Sequence, residues 1–399
     1  MASFWDSPLV TSVAFHPRPH AKNTALPPNA IDGTFSSPAC SLGYRFFRPA
    51  QPDNYKCVVL VFHANAEIAA DYASAAAEFA SMNPPAALLA VDYRGFGWSS
   101  GEPSLTGLLD DAEFVVTHLD TVAELNPRVP VVVYGRSIGS QCAIHVATKF
   151  PQRIHGLVVD SGFHSILKLP MVNQLAMMLP GGAGMLQMLP NIFNTLDKMK
   201  KITDTPVLVI HGTDDEIAPL AQGRELHAAC GAAKKTLREF PNAGHNDIPV
   251  RHRSAYFGAL ESFLKDALAR ATALSVVTNL AAAYAKKQYD LVVEGGKEAL
   301  QSDRLALADQ ILVLELVAKA SWHQGDASAV VKYTTRLLNR QPEHINALCL
   351  RAKAFVQMDD VDLMKDDAMT LSELLAGGET STEASVAMAL LMIQCWNVD

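Results

Sequence analysis

Unbroken apolar runs recur along the first two thirds of the chain: CVVLVF (57–62), AALLAVD (86–92), VPVVVYG (129–135), IHGLVVD (154–160) and PVLVIHG (206–212). A strand with one wet face alternates apolar and polar residues, so continuous runs predict strands buried on both faces of a mostly parallel sheet. A more mixed run, KTLREF (235–240), reads as a further strand. Between them DYASAAAEFASM and LTGLLDDAEFVVTHLDTV carry the spacing of amphipathic helices. Strand and helix alternate from about residue 41 to 268, which predicts an α/β fold with helices on both faces of the sheet. Residues 17–38 hold five prolines among Ser, Asn and Gly, and the segment 1–40 is expected to be an irregular lead-in.

After about residue 270 the β-branched runs stop, and an Ala/Leu-rich pattern of helical period takes over. Three stretches align with one another: KKQYDLVVEGGKEAL from 286, QGDASAVVKYTTRLL from 324 and QMDDVDLMKDDAMTL from 357, with spacings of 38 and 33 residues. These bracket a period of about 34 residues, so residues 270–399 resemble a short tetratricopeptide array. Pro342 is expected to stop one helix, and Ala347 and Ala354 to allow close packing in the next. Such an array would offer a face to a protein or peptide partner.

Length and composition narrow the class. A chain of 399 residues exceeds what one core usually supports, so two domains are expected. A net charge of -8 and the lack of a Lys/Arg block argue against nucleic acid or a polybasic membrane anchor. The six cysteines, Cys40, Cys57, Cys142, Cys230, Cys349 and Cys395, have no CxxC pair or regular spacing. They read as reduced thiols in a cytoplasmic protein rather than as a disulfide framework or metal site. No secretory signal, acylation site, transmembrane span, cofactor motif or metal-ligand spacing is expected. Peripheral contact with a membrane is left open.

The third buried run ends in Gly135-Arg136-Ser137-Ile138-Gly139 and is followed by SQCAIHVATKF, a helical pattern. A nucleophilic serine needs its Oγ presented beyond the sheet edge, and a sharp strand-to-helix turn provides this at the cost of backbone strain. Such a turn leaves no room for neighbouring Cβ atoms, which accounts for Gly135 and Gly139. Chance supplies on the order of 0.1 GxSxG matches in a chain of this length; the strand before and the helix after raise the specificity. The triad partners should follow in the order acid, histidine, on loops after later strands. Asp214 and Asp215 in IHGTDDEIAP both qualify as the acid, and His245 in PNAGHNDI as the base. The oxyanion hole should use the N–H of Ile138, the residue after the serine, and an N–H from the loop after CVVLVF.

These stretches together resemble the alpha/beta-hydrolase superfamily, in particular the eukaryotic alpha/beta-hydrolase-domain proteins that include protein depalmitoylases and monoacylglycerol or lysophospholipid hydrolases. The resemblance covers residues 41–268 and is carried by VFHANA (61–66), VDYRGFGWSSGEPS (91–104), YGRSIGS (134–140), IHGTDDEIAP (210–219) and NAGHNDI (242–248). It implies an alpha/beta-hydrolase fold with a lid at about 162–202, and a Ser-His-Asp triad of Ser137, His245 and Asp215, not Asp214. It also implies an oxyanion donor at Asn65. The family usually has His-Gly-Asn-Ala where this chain has His63-Ala64-Asn65-Ala66, so Ala64 would displace the Asn65 amide if the glycine's positive φ is used there. The expected activity is cleavage of an ester or thioester, of a lipid or an acylated protein. A serine peptidase of the same fold, or a non-catalytic scaffold acting through the helical repeats, is the alternative.

Other polar residues near strand ends have less specific readings. Asp160 ends a strand and is a second candidate for the acid. Asp92, Arg94, His63 and His211 are expected to brace loops. The stretch 165–202 contains six methionines, Met171, Met177, Met178, Met185, Met188 and Met199, which suit a mobile lid over an acyl chain or ordinary packing on the sheet.

Overall fold

The structure is a computed structural model that describes residues 4–37, 39–51, 54–177, 191–301, 305 and 307–376. The chain divides into two compact units, Met1–Ala269 and Arg270–Asp399. The division lies inside a single helix, Arg253–Ala285, near the point where the hydrophobic period changes.

The first unit is built on an eight-stranded sheet: β1 (Ala30–Ser36), β2 (Ser41–Phe47), β3 (Cys57–Phe62), β4 (Ala86–Val91), β5 (Val131–Arg136), β6 (Ile154–Asp160), β7 (Val207–Gly212) and β8 (Lys235–Phe240). Their order is β1-β2-β4-β3-β5-β6-β7-β8. Pairings β1/β2 and β2/β4 are antiparallel and the rest are parallel. This is the alpha/beta-hydrolase fold. Alternate residues of each central strand feed two separate cores. Val58, Leu60, Phe62, Val131 and Val133 pack on one face, and Val59, Val61, Val132 and Tyr134 on the other, so an unbroken apolar run is what each strand needs. Helices Gly107–Thr117 and Gly139–Lys149 belong to the first face. Helix Ala73–Ser81 and the start of Arg253–Ala285 cover the second.

The N-terminal segment differs from the expectation of an irregular lead-in. It contains a helix, Pro8–Ala14, and the edge strand β1. Two tertiary contacts explain why its sequence carries little strand signal. Gly33 has no side chain because the Tyr44 ring lies where its Cβ would be, and Asp32 takes a two-pronged ion pair from Arg45 at 2.6 and 2.7 Å, both side chains fully enclosed. A glycine and a charged residue break the apolar pattern, yet both fit through partners on β2, and Asp32 is buried with its ion pair.

The chain adds β4 on one side of β3 and β5 on the other, so the carboxyl ends of β3 and β5 form a topological switch point. Crevices at such points are where open α/β sheets bind ligands. The loop 63–68 and the turn at Ser137 both lie there.

Within the expected lid, the structure contains a short 3-10 turn, Ile166–Lys168, and helices Pro170–Met177 and Thr195–Lys201. Met171 and Met177 are exposed and Met199 is fully buried. Met178, Met185, Met188 and the LPGGAG stretch lie outside the described residues.

The second unit is all-helical over its described residues. Helices Tyr289–Ala299, Leu307–His323, Ala327–Leu338, Ile345–Gln357 and Val361–Ala376 follow the end of Arg253–Ala285. They share a core that includes Val292, Val313, Val317, Leu337, Ala347, Ala352 and Leu371. Three of its turns are built alike. Lys287, Gly325 and Asp359 adopt left-handed φ of 60°, 77° and 60°. The next N–H in each case closes back five residues: Gln288 to Ala283, Asp326 to Ser321 and Asp360 to Phe355. This is one helix C-cap motif used three times. It falls in the stretches that align in sequence. Pro342 lies between helices, and Ala347 and Ala354 are buried.

Candidate active site

Ser137 follows β5 with φ +51°, a left-handed conformation that costs a non-glycine residue about 1–3 kcal/mol. Its surroundings hold it there. The Ser137 N–H donates to the Asp160 carbonyl at 2.9 Å, and the helix Gly139–Lys149 starts at once. Both glycines of the motif are needed: a Cβ on Gly139 would overlap the Phe62 and His63 carbonyl oxygens, and one on Gly135 would overlap the Gly139 carbonyl and the Ala143 side chain. The backbone of the turn therefore presses directly on the end of β3.

The structure brings Ser137, His245 and Asp215 together from three separate loops. His245 Nε2 lies 3.0 Å from Ser137 Oγ, and its Nδ1 lies 2.8 Å from Asp215 Oδ2. All three residues are buried. Asp215 Oδ1 accepts the Ile217 and Ala218 N–H groups at 3.0 and 2.8 Å. Burial on its own would raise the Asp215 carboxyl, but hydrogen bonds from His211 and His245, the charge of His245 and the Ala218 amide outweigh it and hold the group well below the usual carboxylate range. Asp215 stays ionised, so His245 keeps its proton on Nδ1 and offers a bare Nε2 to the serine hydroxyl.

The other acid candidates are placed elsewhere. Asp214 accepts from the Thr213 hydroxyl at 2.8 Å on the exposed side of its loop. Asp160 is buried on the second face of the sheet, where Oδ2 accepts the hydroxyls of Tyr134 at 2.5 Å and Tyr256 at 2.7 Å. It makes no contact with His245; its side chain completes a buried polar cluster.

The loop after β3 supplies the other half of the crevice. Ala64 lies outside the left-handed region, and the positive φ in this loop, 65°, belongs to Ala66. The freedom of a glycine is thus not used at position 64, and the expected displacement of the Asn65 amide has no backbone cause. The Ala64 N–H is held by Glu67 Oε2 at 2.9 Å. Among the described residues, the N–H groups of Asn65 and Ile138 donate to no protein acceptor. Free backbone donors near a nucleophile are what a developing oxyanion requires, and the Ile138 N–H directly follows the serine.

The bracing residues act as follows. His63 Nδ1 lies 2.8 Å from the Ala64 carbonyl, and Tyr93 donates to the His63 carbonyl at 2.7 Å. Asp92 accepts the Ala69 N–H at 2.7 Å, and Arg94 pairs with Asp111 at 2.6 Å. His211 donates through Nε2 to the Ala218 carbonyl at 2.7 Å, which leaves it 3.3 Å from Asp215 Oδ2. Sequence reasoning missed Glu67, Arg136 and the strap 14–18. Arg136 does sit inside the GxSxG motif, but at a position where any residue is allowed, so spacing alone carried no signal. Among the described residues no group of three or more His, Cys, Asp or Glu side chains could hold a metal.

Comparison with known proteins agrees with this fold. A family model described as serine aminopeptidase, S33, matches residues 53–196. Protein bem46 of Schizosaccharomyces pombe is 32% identical over 227 residues, which are 56% of this chain and 72% of that protein. Human alpha/beta hydrolase domain-containing protein 17C is 30% identical over 181 residues, 45% of this chain and 50% of its own length. A solved structure of the Pyrococcus furiosus esterase Pf2001 superposes with a TM-score of 0.49 and 18% identity, covering 63% of this chain and 97% of that one. The class is that of the hydrolases built on a doubly covered parallel sheet. Within it, the chain belongs to the alpha/beta-hydrolase family, and it spans about half the length of the 17C proteins it matches.

Proposed function

We propose that this protein is a serine hydrolase that cleaves an ester or thioester through an acyl-enzyme. The observation that carries the reading is the pair of distances on His245, 3.0 Å to Ser137 and 2.8 Å to Asp215. Ser137 Oγ attacks the acyl carbonyl while its proton passes to His245 Nε2. The Asn65 and Ile138 amides receive the oxyanion, and the imidazolium, stabilised by Asp215, protonates the departing alkoxide or thiolate. Water then enters, gives a proton to Nε2, and its oxygen displaces Ser137 from the acyl group. The carboxylic acid leaves and the hydroxyl is restored.

An acyl chain as the apolar part of the substrate is supported by the exposed Met171, Met177 and Ile217. Ile217 follows Asp215 by two residues, and the two methionines belong to the segment between β6 and β7. Soft, unbranched side chains adapt to a flexible chain. The three matching turns of the second unit support its reading as a tetratricopeptide-like array for a protein or peptide partner, such as an acylated polypeptide presented as substrate. We place the protein in the cytoplasm.

A fluorescent fluorophosphonate tests the nucleophile. Native protein should label, and Ser137→Ala and heat-denatured protein should not. Labelling that persists in Ser137→Ala would overturn the assignment. Turnover of a series of p-nitrophenyl esters and thioesters beside aminoacyl anilides then separates esterase from peptidase, since the family model is described by the latter activity.

A further inference from the structure

We infer that Glu67 and Arg136 form a positioning clamp that fixes the oxyanion loop and the histidine loop to one another. This rests on the serine-hydrolase reading of Ser137. Arg136 immediately precedes that serine, and its guanidinium reaches in two directions. One nitrogen, Nη1, pairs with Glu67 Oε1. The other, Nη2, donates to the His245 carbonyl at 3.0 Å and to Asn246 Oδ1 at 2.9 Å. The second oxygen of Glu67 accepts the Ala64 N–H at 2.9 Å and the Tyr72 hydroxyl at 2.7 Å. One connected set of charge-assisted hydrogen bonds thus joins residue 64, next to the oxyanion donor, to residue 136, next to the nucleophile, and to the backbone of the catalytic histidine.

The geometry requires arginine. A guanidinium holds its donors in a rigid planar fork, so Glu67 and the His245 carbonyl are kept at a set separation. A lysine ammonium could satisfy one partner and would leave the other to move. The ion pair is largely shielded, with side chains 11% and 25% exposed, so water competes weakly for either group. The outer side of the same loop is tied down independently. The His16 N–H donates to Asn65 Oδ1 at 2.8 Å, Asn65 Nδ2 donates to the Ala14 carbonyl at 3.0 Å, and Arg18 donates to the Ala66 carbonyl at 3.0 Å. Its side chain is held by the strap and the neighbouring Ala64 N–H by Glu67, while among the described residues the Asn65 N–H donates to no protein acceptor.

Neither Glu67 nor Arg136 touches the reacting atoms. Their effect is on alignment, and a displacement of about 1 Å at a reacting group costs on the order of 100-fold in rate. Loss of the clamp should therefore lower kcat and leave KM near that of wild type, because the clamp acts through the alignment of the catalytic groups.

The test uses the full chain with p-nitrophenyl butyrate, alongside the rate of fluorophosphonate labelling, well below the unfolding midpoint of each variant. Arg136→Met should lose about 10- to 100-fold in kcat at unchanged KM, with the same loss in labelling rate. Arg136→Lys should recover only part of it, and the nearly isosteric Glu67→Gln should fall between. The folded fraction of each variant is measured in the same buffer by circular dichroism. Wild-type protein that neither labels nor turns over would sink the serine-hydrolase reading itself. Active wild type, with Arg136→Met and Glu67→Gln within twofold of it in kcat, would sink the clamp alone. So would losses that merely follow the unfolded fraction, or losses confined to KM.

Discussion

Replacing Asp215 by Asn changes one atom and should disable the site through proton placement. In the native protein Oδ1 faces two backbone donors, Ile217 at 3.0 Å and Ala218 at 2.8 Å, while Oδ2 faces His245 Nδ1 at 2.8 Å and His211 Nε2 at 3.3 Å. The asparagine oxygen must take the Oδ1 position, because an amide NH2 there would meet two N–H groups. Its NH2 then points at His245 Nδ1, which has to become an acceptor. The imidazole proton moves to Nε2, and the ring can no longer take a proton from Ser137. A triad locked in the wrong tautomer loses roughly 10⁴-fold in kcat, which at 1.36 kcal/mol per decade is about 5 kcal/mol of transition-state stabilisation. The assay is steady-state hydrolysis of p-nitrophenyl butyrate, with circular dichroism to establish that the variant is folded. Folded Asp215→Asn within tenfold of wild type would refute the tautomer argument. The same substitution has a second readout. The folded-state pKa of Asp215 lies below that of a free aspartate, about 3.9, so between the two values the unfolded chain binds more protons. Its contribution to stability is fully present above the unfolded pKa and is lost as pH falls through the folded one. The stability of Asp215→Asn should therefore fall less than that of wild type when pH drops below about 4, as measured by urea midpoints at neutral and acidic pH.

Other substitutions separate architecture from chemistry. Asp160→Ala removes the acceptor of the Tyr134, Tyr256 and Ser161 hydroxyls; the two tyrosines can still bond each other at 2.9 Å, so two orphaned hydroxyls should cost about 1–3 kcal/mol each. Urea unfolding should register this, while kcat of the folded protein stays near wild type; a collapse of kcat would reinstate Asp160 as the acid. Asp32→Ala leaves the Arg45 guanidinium buried without its carboxylate and should destabilise the first unit by about 3–5 kcal/mol, whereas an unchanged urea midpoint would show that water reaches the site. In the second unit, Lys287→Gly and Asp359→Gly relieve left-handed strain and should each stabilise by about 1 kcal/mol, and Gly325→Ala should destabilise by a similar amount. Hydrogen exchange of the flanking helices reads these changes; destabilisation by Lys287→Gly and Asp359→Gly, or stabilisation by Gly325→Ala, would contradict the shared turn geometry.

Much of this was written locally. Burial on both faces demands an unbroken apolar strand, so CVVLVF and IHGLVVD coincide with β3 and β6 to the residue, while the mixed run KTLREF is the partly exposed edge strand β8. A turn too crowded for Cβ atoms demands Gly135 and Gly139, so the elbow was visible in five letters. The helical half announced itself by period, and its matching turns fall in the stretches that align. Each of these features is imposed by neighbours within a few residues, and periodicity reports such neighbours.

Tertiary structure decided what depends on partners distant in the chain. β1 was hidden because its glycine and aspartate are explained only by Tyr44 and Arg45 on β2. The choice between Asp214, Asp215 and Asp160 is a matter of which carboxylate faces His245, and no spacing encodes a direction. Whether Ala64 disturbs the oxyanion loop turns on a backbone angle, and the left-handed residue proved to be Ala66. The Glu67–Arg136 pair joins positions 69 residues apart, with His245 a further 109 residues on. Such a contact leaves no periodic trace because its cause is the switch point of the sheet, where strands remote in sequence end side by side.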